Sequence, residues 1–301
     1  MSARVAGGQL AAQFAPRVRL NEPLARHTSW HVGGPADVFF SPRDRADLIA
    51  FLRALPAGVP LLWLGLGSNL LVRDGGIRGV VISTRDALCA LERRGDREVY
   101  AEAGVPCALI ARQCGKWNLG PAEFFAGIPG TMGGALAMNA GAFGGETWRQ
   151  VASVETIDRA GEIRARRAGE FQTSYRSVTQ PAAEEWFLAA LLHFDGASTA
   201  EATRALLEKR RQTQPIGEWS CGSVFTNPPG DHAARLIEAA GLKGLRIGGA
   251  VVSTKHANFI LNEGQATARD IESLIAHVQE VVARAQGLTL HPEVRIVGEA
   301  A

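Results

Sequence analysis

Apolar residues recur on one helical face at Ile271, Leu274, Ile275, Val278 and Val282, and this spacing predicts a helix over 267–286. Thr267, with Asp270 three residues on, gives that helix a capping box. The same period at Leu48, Ile49, Leu52 and Leu55 predicts a second helix, with Ser41 at its N-cap, Pro42 behind it, and Pro56-Ala57-Gly58 as the stop. Short apolar runs between turn residues predict strands over 59–64, 80–83, 151–157, 162–166 and 186–194. Two more strands flank Gly95-Asp96, and Pro106 opens a helix running to Trp117. A charged helix is expected over 201–212 and another over 231–240, capped by Gly241. The pattern is α+β without internal repeats. It divides into a loose arm (1–18), two α+β parts (19–84 and 85–198) and a C-terminal part (199–301).

Composition narrows the class. With 301 residues the chain can bury more than one core. Its 32 Lys+Arg against 30 Asp+Glu leave a net charge of +2, so no broad cationic field favours nucleic acid or anionic membranes. No apolar stretch reaches membrane-spanning length, and residues 1–16 lack the apolar core of a signal peptide. Cys89, Cys107, Cys114 and Cys221 form no C-x-x-C pair, which predicts reduced thiols, no metal site and a cytoplasmic protein. Arg164, Arg166 and Arg167 are interleaved with Glu162 and Glu170 and read as a solvated strand face. Trp63 and Trp117 read as core.

Glycine is where the chain departs from the ordinary, with 34 in all and ten between residues 104 and 145. The first cluster is Gly65-Leu66-Gly67-Ser68-Asn69-Leu70, just after an expected strand. Its backbone can turn tightly and aim N–H groups at a phosphate, although a tight turn alone would explain it. Leu70 stands where a dinucleotide fingerprint needs its third glycine, and a strand rather than a helix is expected next. The second cluster is Gly127-Ile128-Pro129-Gly130-Thr131-Met132-Gly133-Gly134, followed by Asn139 and Gly141. Four glycines in eight residues without a charged side chain suit a backbone surface lying flat against a large ligand. Two such loops lacking a Walker lysine suggest an extended cofactor, with its phosphates on one loop and its ring on the other.

Six segments in order carry a resemblance. They are Thr28-Ser29-Trp30-His31-Val32-Gly33-Gly34-Pro35-Ala36, Gly67-Ser68-Asn69-Leu70-Leu71-Val72, 127–135, Tyr175-Arg176, Gly222-Ser223-Val224-Phe225 and Pro292-Glu293-Val294-Arg295. Together the chain from about residue 20 to 298 resembles the UDP-N-acetylenolpyruvoylglucosamine reductase (MurB) family, in its shorter class. The resemblance implies FAD held noncovalently by a two-subdomain fold of the vanillyl-alcohol-oxidase type, with a C-terminal α+β domain over the substrate. It implies NADPH as hydride donor and reduction of UDP-N-acetylglucosamine enolpyruvate to UDP-N-acetylmuramate, in peptidoglycan precursor synthesis, by a monomer.

The resemblance also implies roles. Arg176 matches the family's catalytic arginine, and a planar, permanently charged fork suits an enolic carboxylate. Ser223 matches the proton donor. Glu293 matches the third catalytic residue, expected near the end of the last strand, either protonated or orienting a neighbour; alone it would read as a strand-edge partner of Arg295. Tyr175 and Asn227 fall to substrate binding. Thr226 stands where many relatives carry Lys or Arg, so Lys255 and His256 are candidates to meet the diphosphate, a solvated surface pair being the equal alternative. His27 and His31 read as loop residues. Another FAD oxidoreductase of this fold, or a nucleotide-binding module without chemistry, are the competing readings.

Overall fold

A computed structural model describes residues 3–301 of the chain. The fold falls into two compact units: the chain up to Leu20 with Val38–Leu66 and Gly79–Lys209 forms the first, and Asn21–Asp37, Gly67–Arg78 and Arg210–Ala301 form the second. Neither is a continuous segment, so the units cut across the four-part division read from the sequence.

Most residues of two sheets belong to the first unit. One runs in the order Val18–Pro23, Pro35–Phe40, Ile77–Ser83, Leu61–Leu64, the last two strands parallel with Leu61 opposite Val80. The other is antiparallel, in the order Ile163–Arg167, Val151–Asp158, Glu185–His193, Glu98–Glu102, Leu91–Arg94. Its central strand reads Trp186-Phe-Leu-Ala-Ala-Leu-Leu192 without polar alternation, because both of its faces are covered. Leu188 joins one apolar cluster, with Phe40, Phe51 and Ile82, while Phe187, Ala190 and Leu192 join another, with Ile110, Phe125 and Leu136. Each such large side chain contributes roughly 1.5–3 kcal/mol on burial.

The second unit is built around the helix Ala268–Gln286. Thr267 caps it with a box to Asp270, the stripe expected from the sequence is buried, and Gly287 ends it in the left-handed region. Asp74 accepts from the N–H groups of Ala268 and Arg269 at 3.0 Å each, and Arg73 pairs with Glu272 at 2.7 Å. The strand Leu70–Val72 runs parallel to Arg295–Val297. Trp30 is fully buried and its indole donates to the Ile260 carbonyl at 2.7 Å. These long-range bonds draw 21–37 and 67–78 into the C-terminal unit, which a reading of local pattern does not anticipate.

Several local expectations are corrected. The arm is not loose throughout: Ala3–Gln13 is helical, and Leu10 and Phe14 are buried. The second helix spans Arg45–Ala54 and is capped by Asp44, not Ser41, because the Asp44 carboxylate reaches the Asp47 N–H at 2.8 Å. The second glycine cluster is not loop throughout, since a helix occupies Met132–Met138. The arginine strand face is largely exposed, in line with the sequence expectation, and Arg166 pairs there with Glu185 at 2.5 Å and Glu170 at 3.0 Å. All four cysteines are free, and no helix among the described residues is long and apolar enough to cross a membrane.

Candidate functional site

In the first unit the glycine clusters prove to be close-packing devices as well as open surface. A Cβ on Gly127 would come within 2.5 Å of Ala142 Cβ and 2.7 Å of the Phe143 ring, and one on Gly141 would overlap the Gly145 carbonyl. These glycines are required by chain meeting chain, so glycine density alone overstates the ligand surface. Gly134 differs: it is exposed, and a Cβ there meets nothing within 4 Å. Thr131 differs in the opposite sense. It is 2% exposed, its hydroxyl has no hydrogen-bond partner among the described residues, and it lies where a Cβ on Gly65 would fall, 2.5 Å away. A buried hydroxyl without a partner costs roughly 1–3 kcal/mol, which an accepting ligand oxygen would offset. Gly65, Thr131 and Gly134 therefore fit a phosphate-bearing cofactor. Ile128 is buried, Pro129 exposed, and Gly130 and Gly133 half-buried.

Asn139 does not present its side chain to a ligand. Its amide donates to the Ser174 carbonyl at 3.0 Å and to Glu146 at 3.2 Å, and its carbonyl accepts from Trp148 N–H at 3.1 Å. The Ser174 bond anchors a hairpin, Gln172–Ser174 against Ser177–Thr179, whose two-residue tip is Tyr175-Arg176. Arg176 sits at φ +57°, a conformation that costs a residue with a Cβ roughly 1–2 kcal/mol. Its Nη2 donates to the Gly141 carbonyl at 2.9 Å, and its guanidinium lies 5.1 Å from the exposed Tyr175 ring. The arginine is thus fixed by Gly141, and its hairpin by Asn139.

The second unit carries Ser223 and Glu293, which stand 70 residues apart in sequence. Gly222, at φ +79°, turns the chain just before Ser223. The next residue, Val224, accepts from the Glu293 N–H at 2.8 Å, and Phe225 bridges to Pro292. The two candidate residues therefore lie on adjoining extended segments. Glu293 precedes the strand Arg295–Val297 rather than ending one, contrary to the sequence expectation. Burial pushes the Cys221 thiol well above its ordinary range, and the nearby Glu293 carboxylate adds to the effect. Gly67, at φ +61°, packs against its own unit: a Cβ there would overlap the His27 carbonyl. Ser68 and Leu70 are half-buried beside it, and Asn69 donates to the Glu293 carbonyl at 3.0 Å.

The expected diphosphate residues divide. Asn227 is exposed, with its side-chain carbonyl taking the Ala233 N–H at 3.1 Å. Lys255 is exposed and its ammonium donates to the Arg211 carbonyl. His256 is not part of a solvated pair: it is half-buried, burial lowers its pKa from the usual 6.5, and its Nδ1 is buried with no partner among the described residues. A histidine held neutral is a weak counterion for a diphosphate.

Sequence reasoning passes over Asn258. It is buried at 4% exposure and makes three bonds to the segment after Ser223. One signal is available: an asparagine stands alone inside the apolar run Ala257-Asn258-Phe259-Ile260-Leu261.

Comparison with known proteins assigns the chain. Residues 36–166 match an FAD binding domain model, and 214–297 match the model of the UDP-N-acetylenolpyruvoylglucosamine reductase C-terminal domain. The UDP-N-acetylenolpyruvoylglucosamine reductase of Alkalilimnicola ehrlichii is 61% identical over 93% of this chain and 94% of its own length. That of Methylococcus capsulatus is 57% identical over 100% and 99%. The crystal structure of the Thermus caldophilus UDP-N-acetylenolpyruvylglucosamine reductase superposes with a TM-score of 0.78, at 33% identity over 93% of this chain and 97% of that one. On these matches the chain belongs to the UDP-N-acetylenolpyruvoylglucosamine reductase family.

Proposed function

We propose that Arg176, Ser223 and Glu293 carry the chemistry of this chain. The reaction itself follows from the family: the chain is an FAD enzyme that uses NADPH to reduce UDP-N-acetylglucosamine enolpyruvate to UDP-N-acetylmuramate, in peptidoglycan precursor synthesis. When bound, FAD would supply hydride-transfer chemistry between NADPH and the vinyl group of the substrate. Gly65, Thr131 and Gly134 would hold that cofactor, Thr131 by giving its buried hydroxyl to an acceptor oxygen.

Negative charge then develops on the carbon beside the ether oxygen and spreads into the carboxylate. Arg176 meets that charge with a fork of N–H donors whose orientation is preset by the Gly141 bond. Ser223 gives its hydroxyl proton to the carbanionic carbon, completing the lactyl ether, and the serine alkoxide regains a proton from water. A serine hydroxyl is a weak acid, yet adequate for a carbanion far more basic than itself. Glu293 assists the enolic centre from the segment beside Ser223. The observation that most supports the assignment is the backbone bond from Glu293 to Val224 at 2.8 Å, which puts the two groups on neighbouring segments.

Free thiols and a nucleotide-sugar substrate support a cytoplasmic reaction, and we take the working unit to be one chain. The test of the reading is a colour cycle. The purified protein is expected to be yellow, to bleach with NADPH alone, and to regain colour when the enolpyruvyl substrate is added. Bleaching without recovery on that substrate would overturn the proposal.

A further inference from the structure

The segment that carries Ser223 is gripped by one buried side chain whose role the reaction does not itself require. Asn258 pairs with the Phe225 peptide unit as a neighbouring strand would. Its side-chain carbonyl accepts from the Phe225 N–H at 3.0 Å, and its side-chain amide donates to the Phe225 carbonyl at 2.8 Å. Its backbone carbonyl accepts from the Val224 N–H at 2.9 Å. On the other edge, the Val224 carbonyl takes the Glu293 N–H and the Thr226 N–H donates to the His291 carbonyl at 2.9 Å. Every backbone group of Val224 and Phe225 is thereby satisfied, and Ser223 is the first residue outside the clamp. Gly222 before it turns through a positive φ, and the clamp on the C-terminal side helps to fix the direction of the serine.

We propose that Asn258 is a positioning residue for proton delivery: it holds the Val224–Phe225 segment in register so that the Ser223 hydroxyl is aimed at the carbanion. This rests on Ser223 being the proton donor. A primary amide is the one short side chain with both a donor and an acceptor in the geometry of a peptide edge. A residue used only to fill space would not need both, and an asparagine buried among Ala257, Phe259 and Ile260 is costly unless its bonds are made. Small misplacement of a reacting group lowers rate by up to about 10²-fold without removing the group.

The experiment is a double-mutant cycle on the flavin-loaded enzyme, read by rapid-mixing absorbance in two halves. Asn258→Asp keeps the size and the acceptor and turns the donor into a second acceptor facing the Phe225 carbonyl. Asn258→Ser, which retains a small hydroxyl, serves in its place if the aspartate variant does not fold. We expect unchanged flavin absorbance and an unchanged rate of bleaching by NADPH. Recolouring by the enolpyruvyl substrate should slow by about 10–100-fold. Placed on Ser223→Ala, the same substitution should slow recolouring by less than about twofold further, since it acts only through the serine. Normal recolouring in Asn258→Asp, with slow recolouring in Ser223→Ala, overturns the positioning role and leaves the serine assignment standing. A full multiplicative loss in the double variant also overturns it, since the effect is then general loosening. Normal recolouring in Ser223→Ala itself overturns the reading of Ser223 on which the proposal rests.

Discussion

The Asn69 side-chain amide donates to the Glu293 carbonyl at 3.0 Å, and the Asn69 backbone carbonyl accepts from the Arg295 N–H at 3.1 Å. One residue thus holds the peptides on both sides of Val294 and fixes the segment that presents the Glu293 carboxyl. From sequence, Asn69 reads as part of a glycine loop for the phosphates of a cofactor. In the folded chain part of its hydrogen-bonding capacity is spent on the segment of the candidate residue Glu293, while the parallel pairing of Leu70–Val72 with Arg295–Val297 continues the same attachment. A glycine loop assigned to a cofactor is therefore also the support of a candidate catalytic residue.

Cofactor loss without unfolding is expected from Gly134→Leu. The position is exposed, helical and open, and leucine is the better helix former by roughly 1 kcal/mol. Melting of the cofactor-free protein should be unchanged or raised, while the ratio of flavin to protein absorbance falls severalfold. Full flavin occupancy would show that nothing lies against this face. Gly67→Val is a poorer probe, because its Cβ would meet the His27 carbonyl and the chain itself would have to shift.

Replacing Arg176 by lysine keeps the charge and loses the fork. One ammonium cannot hold the Gly141 carbonyl and also offer two parallel donors to the substrate carboxylate. Losing one charged hydrogen bond is worth about 1.5–3 kcal/mol, so kcat should fall by about 10–150-fold. Steady-state turnover of Arg176→Lys at the wild-type rate would reduce the role of Arg176 to a point charge.

Acid sensitivity of the second unit is traceable to Asp270. The Thr267 N–H and hydroxyl and the Gly249 N–H hold its carboxyl below the usual 3.8. A depressed folded value contributes stability that is present above pH 3.8 and lost as pH falls through the folded value. Asp270→Asn should therefore lower stability by about 1 kcal/mol at pH 7, the scale of a helix cap. The gap between wild type and variant should close below about pH 3.8 in denaturant titrations. A gap independent of pH would assign the loss to shape rather than charge.

What can be read from the chain alone is what depends on neighbours in sequence. The Thr267–Asp270 box and the stripe from Ile271 to Val282 specify their helix without outside help. The strand Pro35–Phe40 and the helix Met132–Met138 are not legible in that way, the first because Asp37 interrupts its apolar face until Arg78 pairs with it at 2.7 Å. The second is hidden because glycine at 133 and 134 argues against a helix, and the close packing on Ala103 that accounts for Gly133 is not visible in sequence. Candidate residues can be named by motif, but their attachments cannot. Asn139, Asn69 and Asn258 make bonds across 35, 224 and 33 positions, and no local pattern encodes such partners.

The central claim, that Ser223 protonates the substrate, is tested most directly by Ser223→Ala in rapid-mixing absorbance of the flavin. Bleaching by NADPH should proceed at near the wild-type rate, because no proton from Ser223 is needed in that half. Recolouring by the enolpyruvyl substrate should slow by about 10²-fold or more, the scale of a lost general acid. Ser223→Cys should recover part of the loss, since a thiol is the stronger acid. Recolouring of the alanine variant at the wild-type rate would contradict the account, because another group would then carry the proton.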